Sequence, residues 1–169
     1  MSDTATQPET SEDDRTTAIG LARYAFEYIE AAQLVDRNAA ERHPNRITSP
    51  IPAYFLAHHG IELCLKAYLR HKGLTPGKLA KAYGHDIHAA YRKAKELGLL
   101  EVFKEHPGDI QAMQLLEGLN VGHGLRYIKT GAKQFPLWGI VEPLAVRLHQ
   151  AVAPLVGFPT FTAKYGGYP

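Results

Sequence analysis

Four residues of one apolar stretch, His59, Glu62, Lys66 and Arg70, stand at steps of three, four and four. On a helix they share one face, and a carboxylate four residues before a lysine is the favourable order for a helical ion pair. Such a face either binds an anionic or polar ligand or is the solvent-facing stripe of the helix. A second constellation lies further on in LEGLNVGHGLRYIKTG, where Asn120, His123 and Tyr127 fall at steps of three and four with Arg126 beside them. Arginine forks onto phosphate or carboxylate, and tyrosine offers a stacking face and a hydroxyl. The alternative is a structural arginine that pairs with Glu62 or another buried carboxylate.

Other chemistries find little support. Of nine histidines, the adjacent His58 and His59 diverge on a helix, His58 being suited to a core or interhelix hydrogen bond. His85 and His88 are the one pair that shares a face, and no HExxH pattern or cysteine partner accompanies them, so neither metal nor cofactor is expected. GxSxG, GxxxxGK[ST] and strand-borne GxGxxG are absent, which sets aside the common serine-hydrolase and P-loop chemistries. The single cysteine, Cys64, has apolar flanks that suit a buried, inert thiol.

These residues need helices to position them. Ile19, Ala22, Ala25, Phe26, Ile29 and Leu34 recur at helical steps and predict an amphipathic helix from about Thr16 to Arg37. RHPNRITSPIP reads as a loop, with Ser49 as helix cap and Pro50 in the first turn. The next helix, from about Pro50 to Lys72, is apolar around most of its circumference and predicts the central rod of a bundle. After the turn LTPG, Gly84, His85 and Asp86 mark the start of a third helix and Gly98 its stop. A fourth runs from near Pro107 to about Tyr127. Gly118, Gly122 and Gly124 within it imply close backbone packing or a break. A fifth extends from about Leu137 to Val156, with Pro143 kinking it or opening its main portion. No strand-like alternation is sustained, so the fold class is all-α, a bundle of four to five helices.

Composition agrees with one globular domain: 169 residues, 45% hydrophobic and 21% charged. Residues 1–15 read as a disordered acidic tail, 16–157 as the bundle and 158–169 as an irregular C-terminal tail. Without a signal-peptide pattern, a long apolar span or a disulfide framework, the expected location is the cytoplasm, away from membranes. The first fifteen residues hold five acidic residues against Arg15, so the net charge of +2 becomes +6 over residues 16–169, where 18 basic residues face 12 acidic ones. That mildly basic body either meets an anionic partner such as RNA or a nucleotide phosphate or is an ordinary solvated surface.

Three segments in order, AHHGIELCLKAYLRHKG (57–73), GHDIHAAYRKAKELGL (84–99) and LNVGHGLRYI (119–128), resemble a HEPN domain, the helical module named for higher eukaryotes and prokaryotes nucleotide-binding proteins. The resemblance spans roughly residues 17–157. It implies a homodimer with its interface along the central and fourth helices, found alone or beside a minimal nucleotidyltransferase in toxin-antitoxin and defence systems. It further implies a polar groove of Glu62, Lys66, Asn120, His123, Arg126 and Tyr127 that engages a nucleotide or RNA phosphate. Many such domains are metal-independent ribonucleases that use an arginine followed, after four to six residues, by a histidine. Here Gly131, Ala132 and Lys133 occupy those positions after Arg126. The expectation is therefore a binding or interaction module. Two alternatives stand beside it: an RNA endonuclease with Arg126 on the phosphate and His123 as base, and a helical assembly protein whose polar residues stabilise the bundle. The only other such spacing, Arg37 to His43, falls in the expected loop.

Overall fold

The computed structural model describes residues 15–127 and 131–164, which form an all-helical bundle. The expected disordered tail lies outside the described residues except for Arg15, and so do residues 165–169 of the C-terminal tail. Among the described residues no helix is long and apolar enough to cross a membrane.

Helix α1 (Ala18–Arg42) starts where Thr17 Oγ1 accepts a hydrogen bond from Gly20 N–H. It buries Ala22, Ala25, Ile29, Ala32 and Ala39, and the four alanines let the neighbouring helix approach closely. That neighbour is α2 (Ile51–His71). At their crossing a Cβ on Gly60 would stand 2.6 Å from Ile29 Cγ1, so only glycine fits. Helix α1 runs five residues beyond Arg37. Its last turn, NAAER, has no apolar periodicity but good helix formers, and it ends just before Pro44. Arg37 thus lies inside α1 and His43 caps it. Ser49 does not cap α2: its hydroxyl donates to Asp36 Oδ1 at 2.6 Å, and Pro50 is the capping residue.

Helix α2 is the central rod. Tyr54, Ile61, Cys64, Leu65, Tyr68 and Leu69 are all buried, and among the described residues it packs against every other α-helix. Burial pushes the Cys64 thiol far above its usual range, as an inert core cysteine requires. Two tyrosines combine an apolar body with a satisfied hydroxyl: Tyr54 donates to Pro136 O at 3.0 Å and Tyr68 to Leu97 O at 2.9 Å.

Past Gly73, whose φ is +93°, the expected turn is instead the entrance to a short helix, α3 (Pro76–Tyr83). Thr75 Oγ1 accepts from Lys78 N–H and Pro76 holds the first helical position. Leu79 is the sole residue it buries, so the segment carries no periodic signal. Helix α4 (Ile87–Glu96) begins as expected at Asp86, whose carboxylate accepts from Ala89 N–H at 2.8 Å, and Gly98 follows its end with φ +91°.

Helix α5 (Asp109–Asn120) is shorter than expected. A 3-10 turn (Val121–His123) follows, in which Gly122 adopts φ +58° and breaks the helix. Of the three glycines, Gly122 makes the break and Gly124 the close approach, since a Cβ there would lie 2.4 Å from Leu119 O; Gly118 faces open space. Helix α6 (Trp138–Val152) passes through Pro143 and ends in a 3-10 turn (Ala153–Val156) before Gly157. Residues 158–164 are irregular but pinned down. Phe161 stacks on Phe26 at 4.3 Å, and buried His149 joins Thr160 Oγ1 (2.6 Å) to Ala22 O (3.0 Å).

Candidate functional site

The first constellation is assembled by α2 and by the loop between α3 and α4. Glu62 is 2% exposed, which excludes a solvent-facing stripe. Its carboxylate is met from three sides: Lys66 Nζ donates to Oε1 at 2.7 Å, His59 Nδ1 lies 3.3 Å from Oε2, and His85 Nδ1 lies 3.1 Å from Oε2 and 3.2 Å from Oε1. Lys66 also donates to Gly84 O at 2.6 Å, tying the loop that carries His85 to the helix that carries Glu62. Arg70, the last residue of the stripe, turns away and donates to Thr16 O and Leu74 O.

Burial alone would raise the Glu62 pKa. The hydrogen bonds from His59, Lys66 and His85 and the Lys66 charge outweigh it and hold the carboxyl at about 2. An ionised carboxylate only accepts hydrogen bonds. Both histidines must therefore carry a proton on Nδ1, which leaves Nε2 as the working edge of each ring. Neither Nε2 has a hydrogen-bond partner among the described residues. A carboxylate that fixes the tautomer of an imidazole is the arrangement that orients a base or a phosphate-binding donor. Neutral, the Nε2 edge takes a proton; charged, it gives one or donates to an anion.

One turn before His59, Phe55 lies parallel to its ring at 6.5 Å, and Tyr28 of α1 meets His59 edge-on at 4.4 Å. The Arg126 guanidinium sits over the other ring of this row, 5.4 Å from the Phe55 centroid. Arg126 is exposed and makes no ion pair among the described residues. It is thus not the partner of Glu62, whose ligands are Lys66 and the two histidines. Beyond Glu62, His58 is buried as expected, with Nε2 3.3 Å from Glu117 Oε2; the same oxygen accepts from Ile87 N–H at 3.0 Å, joining α2, α4 and α5.

Of the residues expected in one groove, Glu62 and Lys66 touch, and Arg126 joins their face through Phe55 and His59. Asn120 closes α5, and no hydrogen bond joins its side chain to Glu62 or Lys66. Because Gly122 breaks the helix, Asn120, His123 and Tyr127 do not share a helical face. Tyr127 is 67% exposed, and the His123 side chain lies outside the described residues. Sequence spacing found His59 but not His85 as a ligand of Glu62. The GHD helix start was visible; its docking over residue 62 is a tertiary event. Comparison with protein-family models, curated proteins and solved structures yields no match to this chain, so the functional reading rests on these side chains.

Proposed function

We propose that the chain is a HEPN-like binding module that engages the phosphate of a nucleotide or RNA on the face formed by His59, Lys66, His85 and Arg126. The observation that supports it most is the pair of imidazoles held by one buried carboxylate, both with Nε2 unengaged among the described residues, beside an exposed arginine whose guanidinium lies over the Phe55 ring. A guanidinium held over an aromatic ring keeps its N–H fork available for phosphate oxygens. The partners implied by the resemblance belong to the same reading: a second copy of the chain, or a nucleotidyltransferase-like protein of a toxin-antitoxin or defence system.

Arg126→Ala is expected to weaken binding of a labelled single-stranded oligoribonucleotide by roughly tenfold, about 1.4 kcal/mol, as for loss of one charge-assisted contact. Fluorescence anisotropy measures this, with far-ultraviolet circular dichroism confirming retained helix. Unchanged affinity contradicts the role of Arg126; lost helix content instead favours a purely structural residue.

A second reading, metal-independent RNA cleavage, is favoured by the same two imidazoles. General acid-base chemistry needs a proton acceptor and a donor near the scissile phosphate, and His59 and His85 supply both without a histidine after Arg126. Chelator-insensitive cleavage of labelled RNA, abolished in both His59→Ala and His85→Ala, selects this reading over binding alone.

A further inference from the structure

The positive charge of the chain is concentrated in one stretch. Residues 63–95 hold eight lysines and arginines and one acidic residue, Asp86, a net +7 against +2 for the whole chain. Folding gathers part of this charge around a cleft of about 550 Å³ between α3 and α4, lined by Leu74, Lys78, Lys81, Ala82, Tyr83 and Lys93. Lys78 and Lys81 are exposed and make no ion pair among the described residues. Lys93 shares its charge with Glu96 at 2.8 Å.

From this we infer a second binding site: the cleft seats one nucleotide of a single-stranded nucleic acid whose backbone continues across His85 to the Glu62 face. Its volume falls in the range of small-ligand sites, about 300–1,000 Å³. The walls match the two halves of a nucleotide. Leu74, Ala82 and Tyr83 offer apolar and aromatic surface for a base, while Lys78 and Lys81 in the same lining supply positive charge for phosphate. An acidic peptide would use the lysines but leave the aromatic wall unused. Continuity with the Glu62 face is direct: Tyr83 lines the cleft, Gly84 O accepts from Lys66 Nζ, and His85 binds Glu62. The inference rests on the reading that this face takes phosphate, and extends it from a single phosphate to a strand.

The test is anisotropy of a fluorescein-labelled single-stranded oligoribonucleotide of about ten nucleotides, titrated with the full chain across a salt series. Lys78→Gln with Lys81→Gln is expected to weaken binding at least about tenfold. It should also flatten the plot of log affinity against log salt by about 0.7 for each lysine. Tyr83→Leu is expected to weaken binding several-fold with the salt slope unchanged, which a purely electrostatic patch would not produce. Wild-type affinity and slope in the double variant, with Arg126→Ala still weakening binding, overturns the cleft and leaves the proposed function standing. No binding by the unaltered chain overturns both. Competition by polyglutamate as effective as by unlabelled RNA at equal charge also overturns the inference, assigning the lysines to an acidic protein.

Discussion

Glu62→Ala is expected to destabilise the fold by about 3–5 kcal/mol, the range for removing one partner of a buried ionic cluster. The carboxylate is 2% exposed and holds Lys66, whose side chain is 15% exposed, together with two histidines. Without it the ammonium keeps only Gly84 O, and the loop carrying His85 loses its anchor on α2. For a chain of this size that is a fall in melting temperature of about 10 °C, measurable by thermal scanning or urea titration. Glu62→Gln preserves shape and part of the hydrogen bonding, so its loss should be smaller. The same carboxylate sets an acid limit. Its folded pKa of about 2 lies below its ordinary value of 4.5. The folded state therefore binds fewer protons than the unfolded chain between these values. Glu62 contributes its full stabilisation above about pH 4.5 and loses it as pH falls towards 2. Glu62→Gln should remove that part of the pH dependence, and an unchanged acid limb would contradict the assignment.

Asp109→Ala is expected to have an effect of similar size, about 3 kcal/mol, in a cluster that shares no hydrogen bond with Glu62. Asp109 is 1% exposed at the first position of α5. Its two oxygens take Arg147 Nη2 of α6 at 2.7 and 2.9 Å, and Oδ2 also accepts from His106 N–H at 2.8 Å. One carboxylate thus closes the loop before α5, complements the helix dipole and clamps α5 to α6. Removing it leaves a guanidinium packed over Phe103 with only Lys104 O to bind. Asp109→Asn keeps an acceptor for His106 and should retain part of the stability. Urea titration separates the two variants, and equal midpoints for wild type and Asp109→Ala would sink the clamp. RNA binding should survive in whatever fraction remains folded, because this clamp lies outside the proposed ligand face.

How much of this was legible in the sequence depended on the range of the interaction. Helix α2 was readable because its apolar residues surround the rod, and α4 because Asp86 and Gly98 bracket it with local capping chemistry. Helix α3 was not, because a helix that buries only Leu79 shows no period. The early end of α5 turned on the backbone of Gly122, which composition left open between a break and close packing. At the site, spacing placed His59, Glu62 and Lys66 on one face, yet could not choose between solvent and burial. That choice is made by the loop before α4, where His85 and Gly84 close over the carboxylate. Arg126 was singled out by its residue type; its seat over Phe55, 71 positions earlier in the chain, is a long-range contact that no local pattern encodes.

The most direct measurement is nitrogen-proton NMR of the histidine side chains in the full chain, with and without a single-stranded oligoribonucleotide. Resonances of His59 and His85 should report a proton fixed on Nδ1 in both rings, and added RNA should shift their Nε2 signals in the wild type but much less in Arg126→Ala. Two rings with Nδ1 protonated and Nε2 insensitive to saturating RNA, or rings bearing the proton on Nε2 alone, would contradict a phosphate-binding face built on Glu62.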